Sequence, residues 1–211
     1  AGAASPGSAL DFLLRMAEIQ PKAVSKTLSD SSMAERFCRI TGASDGIAEH
    51  LLRHPQSFKL PKKPELGKNY KVASSSRTDL RVSYRDAILK IVDWDLSQKD
   101  PAAAYRDVSM ALTELTDETL KSAIEVAIAE LIAEGRLKPE DVEPLLLAVI
   151  AMGKTGAKEL NYVSDVDVIY AATSTESVDV ATKIATRMQQ VIDAFEVEPG
   201  LWQVDPNLRP E

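Results

Sequence analysis

Apolar residues recur at three- and four-residue intervals through most of the chain and switch to strand-like spacing only near its end. Behind Ser5-Pro6, a pair suited to a first helical turn, Leu10, Leu13, Leu14 and Ala17 form the first such stripe. A second helix is predicted from Ser44 or Asp45, either able to cap it, through Ile47, Leu51 and Leu52 to His54, where Pro55 stops it. Residues 1–57 therefore read as an N-terminal helical region, either a packed bundle or a docking surface. From Thr78 to Leu96 the apolar positions Leu80, Tyr84, Ala87, Ile88 and Ile91 share one helical face. After the break at Asp100-Pro101, a longer helix aligns Leu120, Ile124, Ile128, Leu131 and Ile132 and ends at Gly135. The span 78–141 thus reads as long helices packing on a C-terminal core.

Residues 142–211 have another pattern. Leu145–Ile150 is a continuous apolar run, which predicts a strand buried on both faces. It feeds into Gly153-Lys154-Thr155-Gly156, with a short turn or helix around Lys158–Leu160, and then into Ser164–Tyr170, rich in β-branched and aromatic residues. Ala181, Ile184, Ala185, Met188, Val191, Ile192 and Phe195 make a helical stripe, broken by Pro199-Gly200 before Leu201–Val204 returns as a strand. The fold class expected is α+β, with a small sheet and its helices behind a mainly helical region.

Composition narrows the classes. Of the 211 residues 45% are hydrophobic and 27% charged, and the net charge of −7 disfavours non-specific binding to nucleic acid. The basic residues Lys59, Lys62, Lys63, Lys68, Lys71 and Arg77 are interrupted by Pro61, Pro64 and Gly67, so 58–77 reads as a solvated Pro/Lys-rich linker. The single Cys38 excludes an internal disulfide and fits a reducing, cytoplasmic setting; beside Phe37 and Ile40, core packing is its expected role. No run is long enough to cross a membrane, and no signal peptide is visible. A start at Ala1 and a stop at Pro210-Glu211 predict a fragment of something longer.

Three aspartates carry the candidate chemistry. Asp165 and Asp167 alternate along an apolar strand and so point to one face, where two like charges are costly without a positive partner. A divalent metal carrying phosphate is the usual answer, and Asp205 can supply a third ligand from a neighbouring strand. The glycine turn is no P-loop, because the position five residues before Gly153-Lys154 is Ala148. Its backbone N–H groups could still hold a phosphate beside the metal, with Lys154 and Lys158 as further cations. An EF-hand loop is excluded by Val168-Ile169-Tyr170, which stand where further oxygen ligands and a glycine belong. His50 and His54, four apart on one helix face, have a zinc-compatible spacing. Glu49 lies off that face and nothing else completes a site, so surface or half-buried histidines are expected.

The run Met152–Tyr170, together with Val204–Glu211, resembles the bifunctional glutamine synthetase adenylyltransferase/adenylyl-removing enzymes. Gly42-Ala43-Ser44 to His54-Pro55 and Leu80–Asp86 are similar to their actinobacterial branch. Thr155 and Ala157 depart from it, standing where the family often has other small residues or glycine. The resemblance implies that 142–211 is a C-terminally truncated nucleotidyltransferase-fold core, and Glu159-Leu160-Asn161-Tyr162 with the preceding helices points to the N-terminal, adenylyl-removing half. It implies removal of AMP from a tyrosine of adenylylated glutamine synthetase by phosphorolysis, as part of nitrogen regulation. Asp165, Asp167 and Asp205 would be the catalytic and Mg2+ (or Mn2+) ligands, Gly153, Lys154 and Ser164 would bind phosphate or nucleotide, and Arg209 would clamp phosphate. The implied partners are adenylylated glutamine synthetase, phosphate and adenine nucleotide, with a PII-type signalling protein left open. Two alternatives remain beside this reading: the AMP-attaching, ATP-dependent half, or a non-catalytic regulatory or docking fragment.

Overall fold

The computed structural model describes residues 2–142 and 147–206. They divide into two compact units, residues 2–68 with 85–108, and residues 69–84 with the described residues from 109 to 206.

The first unit is all helical. Helices α1 (Pro6–Ile19), α2 (Pro21–Ser29), α3 (Ser31–Ala43) and α4 (Asp45–Arg53) precede a 3-10 turn at Pro55–Ser57. Residues 85–95 of α5 (Arg77–Asp95) and 101–108 of α6 (Pro101–Ala133) complete the unit. The caps are local and chemical: the side chains of Ser5, Asp30 and Ser44 accept from the amides of Ser8, Met33 and Ile47. Phe12, Met16, Val24, Phe37, Ile40, Leu51, Phe58, Leu89 and Val92 form the core. The buried stripe of α1 is therefore Ala9, Phe12 and Met16, while the expected Leu10 and Leu14 are 59% and 60% exposed. Apolar residues lie on more than half of this helix's circumference, so periodicity alone could not select the face. Cys38 is a free, half-buried thiol at the edge of α3's buried face rather than in the core. Inside the unit, Arg36 Nε donates to Asp93 Oδ1 at 2.8 Å and Nη1 to the carbonyl of Pro61 at 2.9 Å, both ionic side chains being buried.

The second unit is α+β. Strands β1 (Leu147–Ala151), β2 (Val166–Ala172) and β3 (Val204–Asp205) lie in the order β1-β2-β3, with β1 antiparallel and β3 parallel to β2. A short helix α7 (Gly153–Ala157) links β1 to β2, and α8 (Val178–Asp193) links β2 to β3. Val166 and Val168 are buried, and the apolar face of α8, Ala181, Ile184, Ala185, Met188, Val191 and Ile192, is buried likewise. Leu131, Leu137 and Ile184 form a second cluster, with Ile124, Ile128, Ile132, Val142 and Leu147 against it. Gly135, at φ +67, terminates the helical run after α6.

Three expectations are corrected here. Strand β1 is not buried on both faces: Ala148 and Ile150 are exposed between half-buried Leu147, Val149 and Ala151, so among the described residues only one of its faces is covered. Leu145 and Leu146 lie outside the described residues. Phe195 is 98% exposed because α8 ends at Asp193, before the stripe's last member. The segment 58–77 is not simply a solvated linker. Its lysines are exposed, but Phe58, Tyr70 and Val72 are buried, and the Val72 carbonyl accepts from Ser122 Oγ at 2.9 Å. Arg77 belongs to α5 and is paired with Glu130 and Glu196 at 2.7 Å. That hydrogen bond from Arg77 holds Glu130 below the usual carboxylate range, outweighing the burial that pushes it up.

Candidate functional site

The two strands that carry the aspartates are brought together by parallel pairing, with Val166 opposite Val204 and Asp167 opposite Asp205. Residues opposite one another in neighbouring strands present their side chains to the same face, so both carboxylates project from the side opposite buried Val166 and Val168. Asp167 is half-buried within β2, whereas Asp165 lies one residue ahead of the strand and is exposed. Among the described residues, the ligand oxygens of the three aspartates do not all come within 4.8 Å of one another. Sharing one ion would require these carboxylates to draw closer together.

Gly153 defines the wall of this face. It sits at φ +51, and a Cβ built on it would lie 2.2 Å from Asp167 Oδ2, so a carboxylate oxygen occupies the space a side chain would need. The Met152 amide donates to the Asp167 carbonyl at 2.8 Å, which locks the start of α7 to the beginning of β2. Gly156 is equally constrained, because its Cβ would meet the Ala151 carbonyl oxygen at 2.6 Å. The first amides of α7 have no intrahelical acceptors and lie at the same edge as Asp167. Lys154 and Lys158 are exposed, Lys158 in the left-handed conformation at φ 60. Ser164 Oγ donates to Asn161 Oδ1 at 2.8 Å, and that same oxygen accepts the Val163 amide, closing a tight turn just before Asp165. Arg209 lies outside the described residues.

A Gly153→Ala chain is expected to lose about 1–2 kcal/mol of stability from the left-handed backbone and to push the Asp167 carboxylate out of place. Chemical denaturation measures the first effect, and Mn2+ affinity by calorimetry the second. Unchanged affinity would detach Gly153 from the site.

An all-oxygen carboxylate set of this kind matches a hard divalent cation such as Mg2+ or Mn2+, and the register of Asp167 with Asp205 brings two such donors to one face. Two further features were not evident from the residue pattern. The Thr155 hydroxyl is buried without a hydrogen-bond partner, directly behind the glycine turn. Tyr170, on the α8 side of β2, is pushed up to about 12 by burial and by the Asp193 charge, so it stays a neutral phenol. The second glycine of Gly153-Lys154-Thr155-Gly156 was the available signal that α7 packs against the end of β1.

Among the described residues no helix is long and apolar enough to cross a membrane. Residues 34–211 match the family model described as glutamate-ammonia ligase adenylyltransferase. Similar curated proteins include one from Leifsonia xyli subsp. xyli, 36% identical over 239 aligned positions, covering 99% of this chain and 24% of the relative. Another, from Streptomyces coelicolor, is 35% identical over 232 positions, covering 99% and 22%. A third, from Mycobacterium tuberculosis, is 33% identical over 202 positions, covering 87% and 19%. All three are named bifunctional glutamine synthetase adenylyltransferase/adenylyl-removing enzymes, and the chain spans about a quarter of their length or less.

Proposed function

Since the chain belongs to the glutamate-ammonia ligase adenylyltransferase family, we propose that it carries the adenylyl-removing reaction, the phosphorolysis of AMP from adenylylated glutamine synthetase. In that reaction an oxygen of inorganic phosphate forms a bond to the α-phosphorus of the AMP-tyrosine ester. The bond from phosphorus to the tyrosyl oxygen breaks, that oxygen takes up a proton, and ADP and free tyrosine result. Two anions must meet, so the barrier is largely electrostatic.

The observation that carries this reading is the pairing of Asp167 with Asp205 against the backbone of Gly153. Asp165, Asp167 and Asp205 would hold Mg2+ or Mn2+, which when bound supplies positive charge to the reacting phosphates. Gly153 and Lys154 would seat phosphate through free amides and an exposed ammonium group, the backbone approach being open because Gly153 has no side chain. Ser164 would orient a substrate oxygen once released from Asn161, and Arg209 would clamp phosphate in a bidentate manner. The adenylyl-removing rather than the AMP-attaching direction rests on the likeness of the Glu159–Tyr162 segment to the N-terminal half of these enzymes.

The test incubates the 211-residue chain with adenylylated glutamine synthetase, phosphate and Mg2+ or Mn2+, and in parallel with unmodified glutamine synthetase and ATP. Phosphate-dependent ADP release without AMP incorporation is expected. AMP incorporation from ATP would overturn the direction, and binding of glutamine synthetase with neither reaction would make the chain a docking fragment.

A further inference from the structure

We propose that His50 and His54 form a second metal site, for a late divalent transition ion, with Zn2+ the occupant best matched to imidazole donors. It is independent of the aspartates and of the function proposed above. Both residues belong to the first unit: His50 is in the last turn of α4 and His54 is its C-terminal cap, its amide donating to the His50 carbonyl at 2.8 Å. The expectation of surface or half-buried histidines fails for His50, which is 1% exposed, and holds for half-buried His54.

The rings face each other, with centroids 5.1 Å apart and planes at 43°, and a ring nitrogen of one lies within 4.8 Å of one of the other. His50 Nε2 is 2.8 Å from Asp86 Oδ1. With the Nε2 proton donated to that carboxylate, the neutral ring keeps its lone pair on Nδ1. Nδ1 is buried and has no hydrogen-bond partner, an arrangement that costs free energy in an apolar setting. A lone pair left free in this way, on a ring oriented by a carboxylate and beside a second imidazole, is the donor geometry of a metal-ligating histidine.

Charge supports the same occupant. The Asp86 carboxylate at His50 Nε2 places a negative charge beside the pair of rings and orients the imidazole. The C-terminal end of α4 adds the negative pole of a helix. Imidazole nitrogens favour Zn2+ and its late-transition neighbours over Mg2+, with water or other oxygens completing the coordination.

The experiment titrates the chelator-treated chain with Zn2+ by calorimetry in excess Mg2+, and with Co2+ by its visible absorption. One Zn2+ per chain is expected, unaffected by Asp167→Asn. His54→Gln, at a half-buried position the fold should tolerate, is expected to weaken binding by at least about tenfold, and Asp86→Asn by a comparable factor through the freed imidazole. Circular dichroism confirms that each variant is folded. Absence of Zn2+ uptake, uptake unchanged in His54→Gln, or uptake abolished by Asp167→Asn would each overturn the site.

Discussion

Asp167→Asn is expected to release ADP from adenylylated glutamine synthetase at less than about one hundredth of the parent rate, with folding unimpaired. The asymmetry comes from where Asp167 sits. It is half-buried in the central strand of the three, directly opposite Asp205, and one of its oxygens rests against the Cα of Gly153. Asparagine preserves this shape and the strand while removing the charge, so the lost rate measures electrostatics rather than packing. Removing one of two like charges in register should leave the thermal midpoint unchanged or raise it slightly. The paired measurements are initial rates of phosphate-dependent ADP release and a thermal melt. A rate within threefold of the parent would take Asp167 out of the chemistry. A collapsed midpoint would make its role structural.

Arg81→Leu is the change expected to damage stability most, by about 3–5 kcal/mol in the second unit. Arg81 is wholly buried, with 0% of its surface exposed. Its Nε donates to the Val191 carbonyl at 3.0 Å, Nη2 to the Gln190 carbonyl at 3.2 Å and Nη1 to the Glu198 carbonyl at 2.6 Å, with Glu196 at 3.5 Å as counter-charge. It therefore satisfies the last carbonyls of α8 and pins the connector that leads to β3. Leucine fills part of the volume and leaves those carbonyls without this donor, the costly half of any hydrogen-bond deletion. Arg81→Lys, with a point charge in place of a planar fork, should fall between the two. Urea denaturation monitored by the near-ultraviolet signal of Trp202, with Trp94 of the first unit replaced by phenylalanine in every variant, gives the difference. A loss under about 1 kcal/mol for leucine would show that the clamp is dispensable.

Much of this architecture was legible because its signals are local. Ser5-Pro6 marks the start of α1 as expected, Ser44 is the one of the two candidates that caps α4, Pro55 and Gly135 mark helix ends, and the stripe of α8 is buried from Ala181 to Ile192. The alternation around Asp167 located β2, but the last strand, expected over Leu201–Val204, is found only at Val204–Asp205, and its parallel direction was not evident. What was illegible depends on pairing across the chain. The bond between Arg36 and Asp93 spans 57 residues and that from Arg81 to Glu198 spans 117, and neither residue announces its partner in a local window. The face of α1 was ambiguous because Leu10 and Leu14 are as apolar as the residues that won the core. His50 looked ordinary because its burial is set by elements distant in sequence, among them the turn of α5 that carries Asp86.

The shortness of β3 makes the third carboxylate a matter of parity. Among the described residues β3 pairs with β2 through Val204 and Asp205 alone, and successive side chains in a strand alternate between faces. Inserting a single residue between Gly200 and Val204 that shifts the frame by one would turn a valine toward the acidic face and hide the carboxylate, while inserting two would restore it. Even and odd loop lengths should therefore give opposite phenotypes, although the chemical composition of the two variants would barely differ.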